Sequence, residues 1–210
     1  MKSDLFIISR SGWRYILYAL AISAIFVIID FDFFAFVSSV LFFCFLFLFR
    51  NPERELPESK EASLISPVDG NVVKIEKFQE GEYSYRVDIE SSYGDVGVLR
   101  SPFSAEIADI ALTNGSRVAK YSKLFLDLNE SVELTLCDKE GNSVRLVHRL
   151  KRSFAPINLF IHKDQNILQG SRYGFMIDGV TSIYLKEDCT IALKLGEAVK
   201  AGETLLATFS

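Results

Sequence analysis

Thiols and imidazoles, the side chains that close disulfides and build zinc sites, are scarce in this sequence. Cysteine occurs three times, at Cys44, Cys137 and Cys189, without paired spacing, and histidine twice, at His148 and His162, in no HExxH or Cys/His cluster. Neither a disulfide framework nor a dedicated zinc site is expected from such a set. The cysteines read instead as small apolar residues in a reduced compartment. Long basic runs are also missing. With 23 Lys and Arg against 27 Asp and Glu, the formal net charge is −4. Nucleic acid is thereby excluded as an expected partner, because phosphate recognition needs a concentrated basic patch. No internal repeat is present, and no helical period is sustained beyond the N-terminal quarter.

What is abundant is apolar, and it is concentrated. Trp13–Ile29 and Phe33–Phe49 are nearly uncharged runs of 17 residues each, separated by Asp30-Phe31-Asp32. That length lies at the lower end of what crosses a hydrocarbon core of about 30 Å. Neither run carries a charge at its centre, where one would be costly. The pattern predicts two apolar helices, about 13–29 and 33–49, forming a membrane hairpin within an anchor of residues 1–49. Lys2, Arg10 and Arg14 flank one outer end, Arg50 and Arg54 the other, and the acidic pair lies at the bend. By the positive-inside rule both outer ends face the cytoplasm. Trp13, Tyr15 and Tyr18 suit the headgroup level. A cleaved signal peptide fits less well, because a second apolar run follows and no small-residue cleavage site separates the two.

Residues 50–62, Arg-Asn-Pro-Glu-Arg-Glu-Leu-Pro-Glu-Ser-Lys-Glu-Ala, change the composition abruptly. Two prolines and mixed charge predict a solvated linker. From Ser63 to the end the pattern is mostly β: short apolar runs such as Val72–Ile75, Tyr83–Ile89, Val118–Tyr121, Ser131–Leu136 and Ser143–His148, divided by Gly- and Asp-rich turns. Ala105–Leu112 is ambiguous between strand and helix, and Pro156 marks Phe154–His162 as an edge candidate. Many short strands at close spacing predict a sandwich or barrel. The chemistry-bearing stretch is Arg172–Leu185. There the β-prone runs Tyr173–Ile177 and Val180–Leu185 flank Asp178-Gly179, a tight-turn signal because both residues tolerate positive φ.

Three segments, taken together and in this order, carry a family resemblance. Phe49-Arg50-Asn51-Pro52-Glu53-Arg54 precedes Ser66-Pro67-Val68-Asp69-Gly70-Asn71. Gly170-Ser171-Arg172-Tyr173-Gly174 leads to Tyr184-Leu185. Leu195-Gly196-Glu197-Ala198-Val199-Lys200-Ala201-Gly202-Glu203 continues into Thr204-Leu205-Leu206-Ala207. Behind an apolar hairpin they resemble the short bacterial and archaeal type of phosphatidylserine decarboxylase. The first and third segments alone also look like parts of biotinyl- and lipoyl-type domains. The resemblance implies a domain of residues 63–210 with a barrel-sandwich core, in which Ser66–Ile75 and Leu195–Ala207 pack together. It also implies an inner-membrane location and a membrane phospholipid as partner, with a protein partner or a second copy of the chain as further candidates.

The resemblance further implies a pyruvoyl group made from the enzyme's own chain. A serine after glycine attacks the preceding carbonyl, helped by a histidine that an aspartate orients, and the pyruvoyl group then serves as electron sink. Position by position, Asp69 matches the aspartate. Asp95-Val96-Gly97-Val98-Leu99-Arg100-Ser101-Pro102 matches the histidine segment with Gly97 in the histidine's place. At the cleavage turn, counting forward from Gly170 puts Val180 on the serine, and counting back from Tyr184 puts Gly179 there. Neither has a hydroxyl.

The sequence therefore predicts a relative of phosphatidylserine decarboxylase in phospholipid metabolism that does not process itself, holds no cofactor, and binds phospholipid or regulates a partner. An active decarboxylase would need another nucleophile: Thr181, Ser182 or Ser171, with His148 or His162 as base. Thr181 and Ser182 otherwise read as strand residues with solvated hydroxyls. A membrane-tethered biotinyl- or lipoyl-like adaptor is a third reading, although Lys74, Lys186 and Lys200 lack the hairpin setting of a carrier lysine.

Overall fold

A computed structural model describes residues 7–57, 63–122 and 124–209. Lys2 and the 58–62 part of the expected linker lie outside the described residues. The chain divides into two units, Met1–Glu53 and Arg54–Ser210.

In the first unit, α1 (Trp13–Ile28) and α2 (Asp32–Leu48) pack against each other. Between them the chain reverses at Asp30, which takes a positive φ of 57°. The few polar side chains turn inward: Ser23 Oγ lies 2.7 Å from Ser39 Oγ, and the Ser38 hydroxyl donates to the Phe34 carbonyl. Ala19 and Ala35 are buried with Ser23 and Ser38, and such small residues let two helices approach closely. Large apolar side chains face outward instead, among them Tyr18, Ile25, Val27, Phe36 and Phe43. Among the described residues one helical stretch, Arg10–Ile28, has the length and apolar content to cross a membrane. The second helix has 17 residues and falls short of the same criterion, so two crossings are not established by length.

The second unit is β, with strands β1 (Ser63–Ile65), β2 (Gly70–Lys77), β3 (Tyr85–Glu90), β4 (Val98–Arg100) and β5 (Ala105–Thr113) before a one-turn helix, α3 (Phe125–Leu128). After it come β6 (Ser131–Cys137), β7 (Ser143–Leu150), β8 (Asn158–Leu159), β9 (Asn166–Ile167), β10 (Arg172–Phe175) and β11 (Gly179–Leu185). The last three are β12 (Cys189–Ile191), β13 (Ala198–Val199) and β14 (Leu205–Phe209). Eight of these strands form one long sheet in the order β13-β2-β3-β11-β7-β6-β5-β9. Two three-stranded sheets, β1-β14-β12 and β4-β10-β8, complete the set. All three sheets are open, so the expected barrel does not close. The Ser66–Ile75 and Leu195–Ala207 segments do meet: β13 pairs with β2, and the Ser66 and Gly202 backbones are bonded through Gly202 N–H to Ser66 O.

Strand alternation sorts the long sheet into two faces. Val87 and Ile89 of β3, Leu146 of β7 and Ile183 of β11 point into the common core. Arg86, Asp88, Arg149 and Ser182 alternate with them on the opposite face.

Three expectations change here. Val118–Tyr121 is not a strand: the Asn129 side chain accepts from Val118 N–H and donates to its carbonyl, at 2.9 and 2.8 Å, replacing a ladder. In Phe154–His162 only Asn158–Leu159 is a strand, at the edge of the β4-β10-β8 sheet as Pro156 implies, with Phe160 N–H adding one bond to the Tyr173 carbonyl. Asp178-Gly179 is a bend but closes no hairpin. β10 pairs with β4 and β8 and β11 with β3 and β7, so the chain passes there from one sheet to another.

Candidate functional site

Asp69 lies in the turn that opens β2 and is buried, 8% exposed. One carboxylate oxygen accepts from the Ala201 amide at 2.8 Å; the other takes Arg54 Nη2 at 2.8 Å. Arg54 Nη1 also lies 3.4 Å from Glu203. Both partners come from segments that flank Asp69 in the chain's topology, one just upstream of β1 and one between β13 and β14. The sequence places Arg54 in a solvated linker, as a membrane-flanking charge. Its side chain is only 8% exposed and is an integral part of the second unit. The hint in the sequence is its place in Arg50-Asn51-Pro52-Glu53-Arg54, one of the segments that carry the family resemblance.

The turn at Asp178-Gly179 reaches Asp69 through Ser91. The Ser91 amide donates to the Gly179 carbonyl at 2.9 Å, and its hydroxyl donates to the Asp69 carbonyl at 2.6 Å. Gly97 joins from the other side, its carbonyl accepting from Met176 N–H at 2.8 Å. Asp69, Gly97 and Gly179 therefore belong to one connected neighbourhood. The Asp69 carboxylate, however, is directed to Arg54 and Ala201 rather than to the turn.

Both glycines are buried in close packing. A Cβ at Gly97 would lie 2.8 Å from the Met176 carbonyl and 2.9 Å from the Phe175 ring. At Gly179 it would lie 2.5 Å from Met176 Sδ and 2.8 Å from the Arg149 carbonyl. Such distances are below van der Waals contact, so neither position has room for a larger side chain without rearrangement. Val180, the other position aligned with the serine, is a buried residue of β11.

The chain from residue 41 to 207 matches the family model described as phosphatidylserine decarboxylase. The chain belongs to the phosphatidylserine decarboxylase family. Among curated relatives, a phosphatidylserine decarboxylase proenzyme of Desulfotalea psychrophila is 30% identical over 167 residues, covering 77% of each chain. Proenzymes of the same name from Syntrophus aciditrophicus and Symbiobacterium thermophilum are 28% and 29% identical; the first covers 82% of each chain, the second 95% of this chain and 94% of its own.

Of the alternative nucleophiles and bases, only Thr181 and His148 meet. Thr181 and His148 are cross-strand neighbours on the core face, with His148 Nδ1 2.8 Å from Thr181 Oγ1 and Nε2 2.6 Å from the Tyr173 hydroxyl. All three are buried, contrary to the solvated hydroxyl expected at Thr181. Burial pushes the imidazole down to about 3. Both its nitrogens are engaged, one donating and one accepting in the neutral ring. Ser182 is also buried, but on the opposite face, where Arg86 Nη2 donates to its hydroxyl at 3.3 Å. His162 is exposed. Ser171 lies just before β10, at the far end of that strand from the turn, behind Gly170 with its φ of 73°.

A charged group at the turn was not anticipated. Asp178, with φ 56°, is 8% exposed, and its carboxylate lies 3.0 Å from Lys151 Nζ and accepts from the Arg152 amide at 3.2 Å. Lys151 also bonds Glu90 at 2.9 Å. Burial alone would lower the lysine, but its bonds to Glu90 and Asp178 outweigh it and raise the ammonium above its ordinary value. Reading Asp178 purely as a turn former concealed this ion pair.

Proposed function

We propose that this family member is a membrane-anchored protein of phospholipid metabolism that does not cut its own chain and that acts by binding phospholipid head groups or by regulating a protein partner or a second copy of itself. The observation that carries this proposal is the packing at Gly97. An imidazole there would have to displace the Met176 carbonyl and the Phe175 ring. Neither Gly179 nor Val180 offers the hydroxyl from which a pyruvoyl group is made. The residues present therefore do not fit that group, and no pyruvoyl step follows from them. Loss of a single member of such a reacting set typically removes most of the rate.

The outward apolar side chains of the helical pair support anchoring in an inner membrane by both helices. At 1.5 Å per residue, α2 alone is about 25 Å long, so it would need snorkelling ends or a locally thinned bilayer. Retention of the full chain in membranes washed with alkaline carbonate supports the anchor, and release by carbonate would refute it.

Intact-mass measurement tests the processing claim. A single chain at 23.7 kDa is expected. Two fragments, one with a keto-capped end, would overturn it. The same spectrum tests a second reading, an active decarboxylase, which the bond between His148 and Thr181 favours by placing a hydroxyl beside an imidazole. In that case the cut would fall before Thr181, and membranes containing the protein would convert a serine-headed lipid to an ethanolamine-headed one. Added mass matching biotin or lipoate would point instead to the carrier form of the adaptor reading.

A further inference from the structure

On the face of the long sheet away from the core, a cavity of about 300 Å³ opens above β3, β7 and β11. That volume is at the small end of ligand sites. Arg86, Asp88, Arg149 and Ser182 rise from the strands, and Lys120 and Phe125 close the cavity from the segment before and within α3. Strand register explains the clustering: Ser182 stands opposite Asp88, and Val180 opposite Arg149.

The charges do not balance. Arg86 Nε is held by Asp88 at 2.7 Å, and Lys120 pairs with Glu90 outside the lining. Arg149 has no carboxylate within ion-pair distance among the described residues. Its Nε is buried without a hydrogen-bond partner, and its guanidinium carbon lies 6.0 Å from the Phe125 ring centre. Burial is the main influence and lowers its proton affinity; Arg86 adds to that, while Tyr184, Glu133 and Asp88 act against it from a distance. Buried polar groups are almost always bonded, so an unbonded guanidinium nitrogen on a residue that lines a cavity points to a group that enters the cavity and draws the guanidinium toward it. Ser182 accepts from Arg86 and retains its own hydrogen to donate. Donors of this kind, forked and cationic, suit an oxyanion. Val73, Phe125 and Leu126 add apolar wall, which suits an anion carrying a carbon substituent.

We propose that this cavity is a binding site for a phosphate ester, held chiefly by Arg149 with Lys120 and the Ser182 hydroxyl in support. It gives a ligand class to the head-group-binding role proposed above and rests on that role only for the source of the phosphate. The cavity stands whether or not the chain processes itself, so the intact-mass result and the following one can fail separately.

The test uses the full chain in uncharged detergent at fixed ionic strength, with ¹⁵N-labelled arginine. Glycerol phosphate is titrated as the soluble probe, and phosphatidic acid in mixed micelles as the lipid probe. One arginine Nε–H signal is expected to shift saturably, and Arg149→Gln to abolish that signal and weaken binding at least tenfold. Lys120→Gln, on the covering segment, is expected to weaken it severalfold, which keeps the test open should Arg149→Gln fail to fold. Arg145→Gln, on the same strand but outside the cavity, is expected to leave binding within twofold. Binding of both probes supports the site for the shared chemistry; binding of the lipid probe alone assigns the source to a membrane, and binding of the soluble probe alone to a metabolite. No saturable shift with either probe, or undiminished affinity in folded Arg149→Gln, overturns the proposal.

Discussion

His148 and Arg149 are neighbours on β7, and alternation sends them to opposite faces of the long sheet. On the core face, His148 is wholly enclosed, yet both ring nitrogens are bonded, to Thr181 and Tyr173. On the other face Arg149 is only partly covered, yet its buried Nε has no partner. Depth of burial is thus a poor guide to which polar residue is available for function. The core histidine is a completed structural group, and the arginine is an incomplete one. The strand has placed its satisfied polar group inside and its unsatisfied one beside a cavity.

The largest effect should come from removing the core group. His148→Ala leaves the Thr181 and Tyr173 hydroxyls without their partner and opens a cavity, and should cost about 3–5 kcal/mol. Denaturant unfolding of the detergent-solubilised chain measures this. Acid should produce a related loss in the wild type. The imidazole titrates near 6.5 in the unfolded chain but at about 3 when folded. Between those values the unfolded chain binds the extra proton, so stability is full above about pH 6.5 and falls as the pH drops toward 3, by about 5 kcal/mol at most. That component of the pH slope should vanish in His148→Ala. An unchanged slope would show that the enclosure of His148 is incomplete and would weaken the contrast with Arg149.

A different limit operates at Gly97, where space rather than partnering decides. Gly97→His should cost about 1–3 kcal/mol by overpacking against Met176 and Phe175, read as a lower melting temperature. It should not produce self-cleavage, because no serine follows at Gly179 or Val180. Two fragments in its mass spectrum would show that a base alone was missing, and would revive Thr181 as nucleophile.

Much of this could be read from the sequence, and the parts that could not share a cause. The apolar runs, the β pattern and the three family segments are local signals, and most of the elements they imply formed, Val118–Tyr121 being an exception. The meeting of Asp69 with the Ala201 segment was also legible, because both lie in motifs of one family. Arg54 was not, since a charged residue between prolines looks solvated until a buried carboxylate is placed beside it. Nor were the partners of His148, or their absence at Arg149 Nε. Thr181 and Tyr173 lie 33 and 25 residues from His148; cross-strand register on the long sheet brings Thr181 to it, and packing of a strand from another sheet brings Tyr173. The Asp178-Gly179 signal gave the bend correctly but not its use, because turn chemistry does not tell whether the next strand stays in the same sheet.

A smaller effect is expected within the core group itself. Tyr173→Phe removes one hydroxyl and keeps the ring, leaving His148 Nε2 unpartnered, and should cost about 1–2 kcal/mol. The same denaturation measurement checks it. A loss as large as that of His148→Ala would mean that the tyrosine, not the histidine, organises the three.

The least destabilising change should be the one beside it. Arg149→Met replaces an unpartnered, partly buried cation with an apolar chain of similar reach. In a buffer free of phosphate esters, nothing bonded is lost at Nε, and the desolvation cost of the charge is removed. Exchange of a poorly compensated buried charge for a packed apolar group is commonly neutral or favourable, so the change should lie between about zero and 1 kcal/mol of added stability. Phosphate ester at saturating concentration should then reverse the order, stabilising the wild type and leaving Arg149→Met unaffected. If Arg149→Met instead destabilised the protein as much as His148→Ala does, the arginine would be a structural member of the fold, and the two faces of β7 would differ in exposure but not in role.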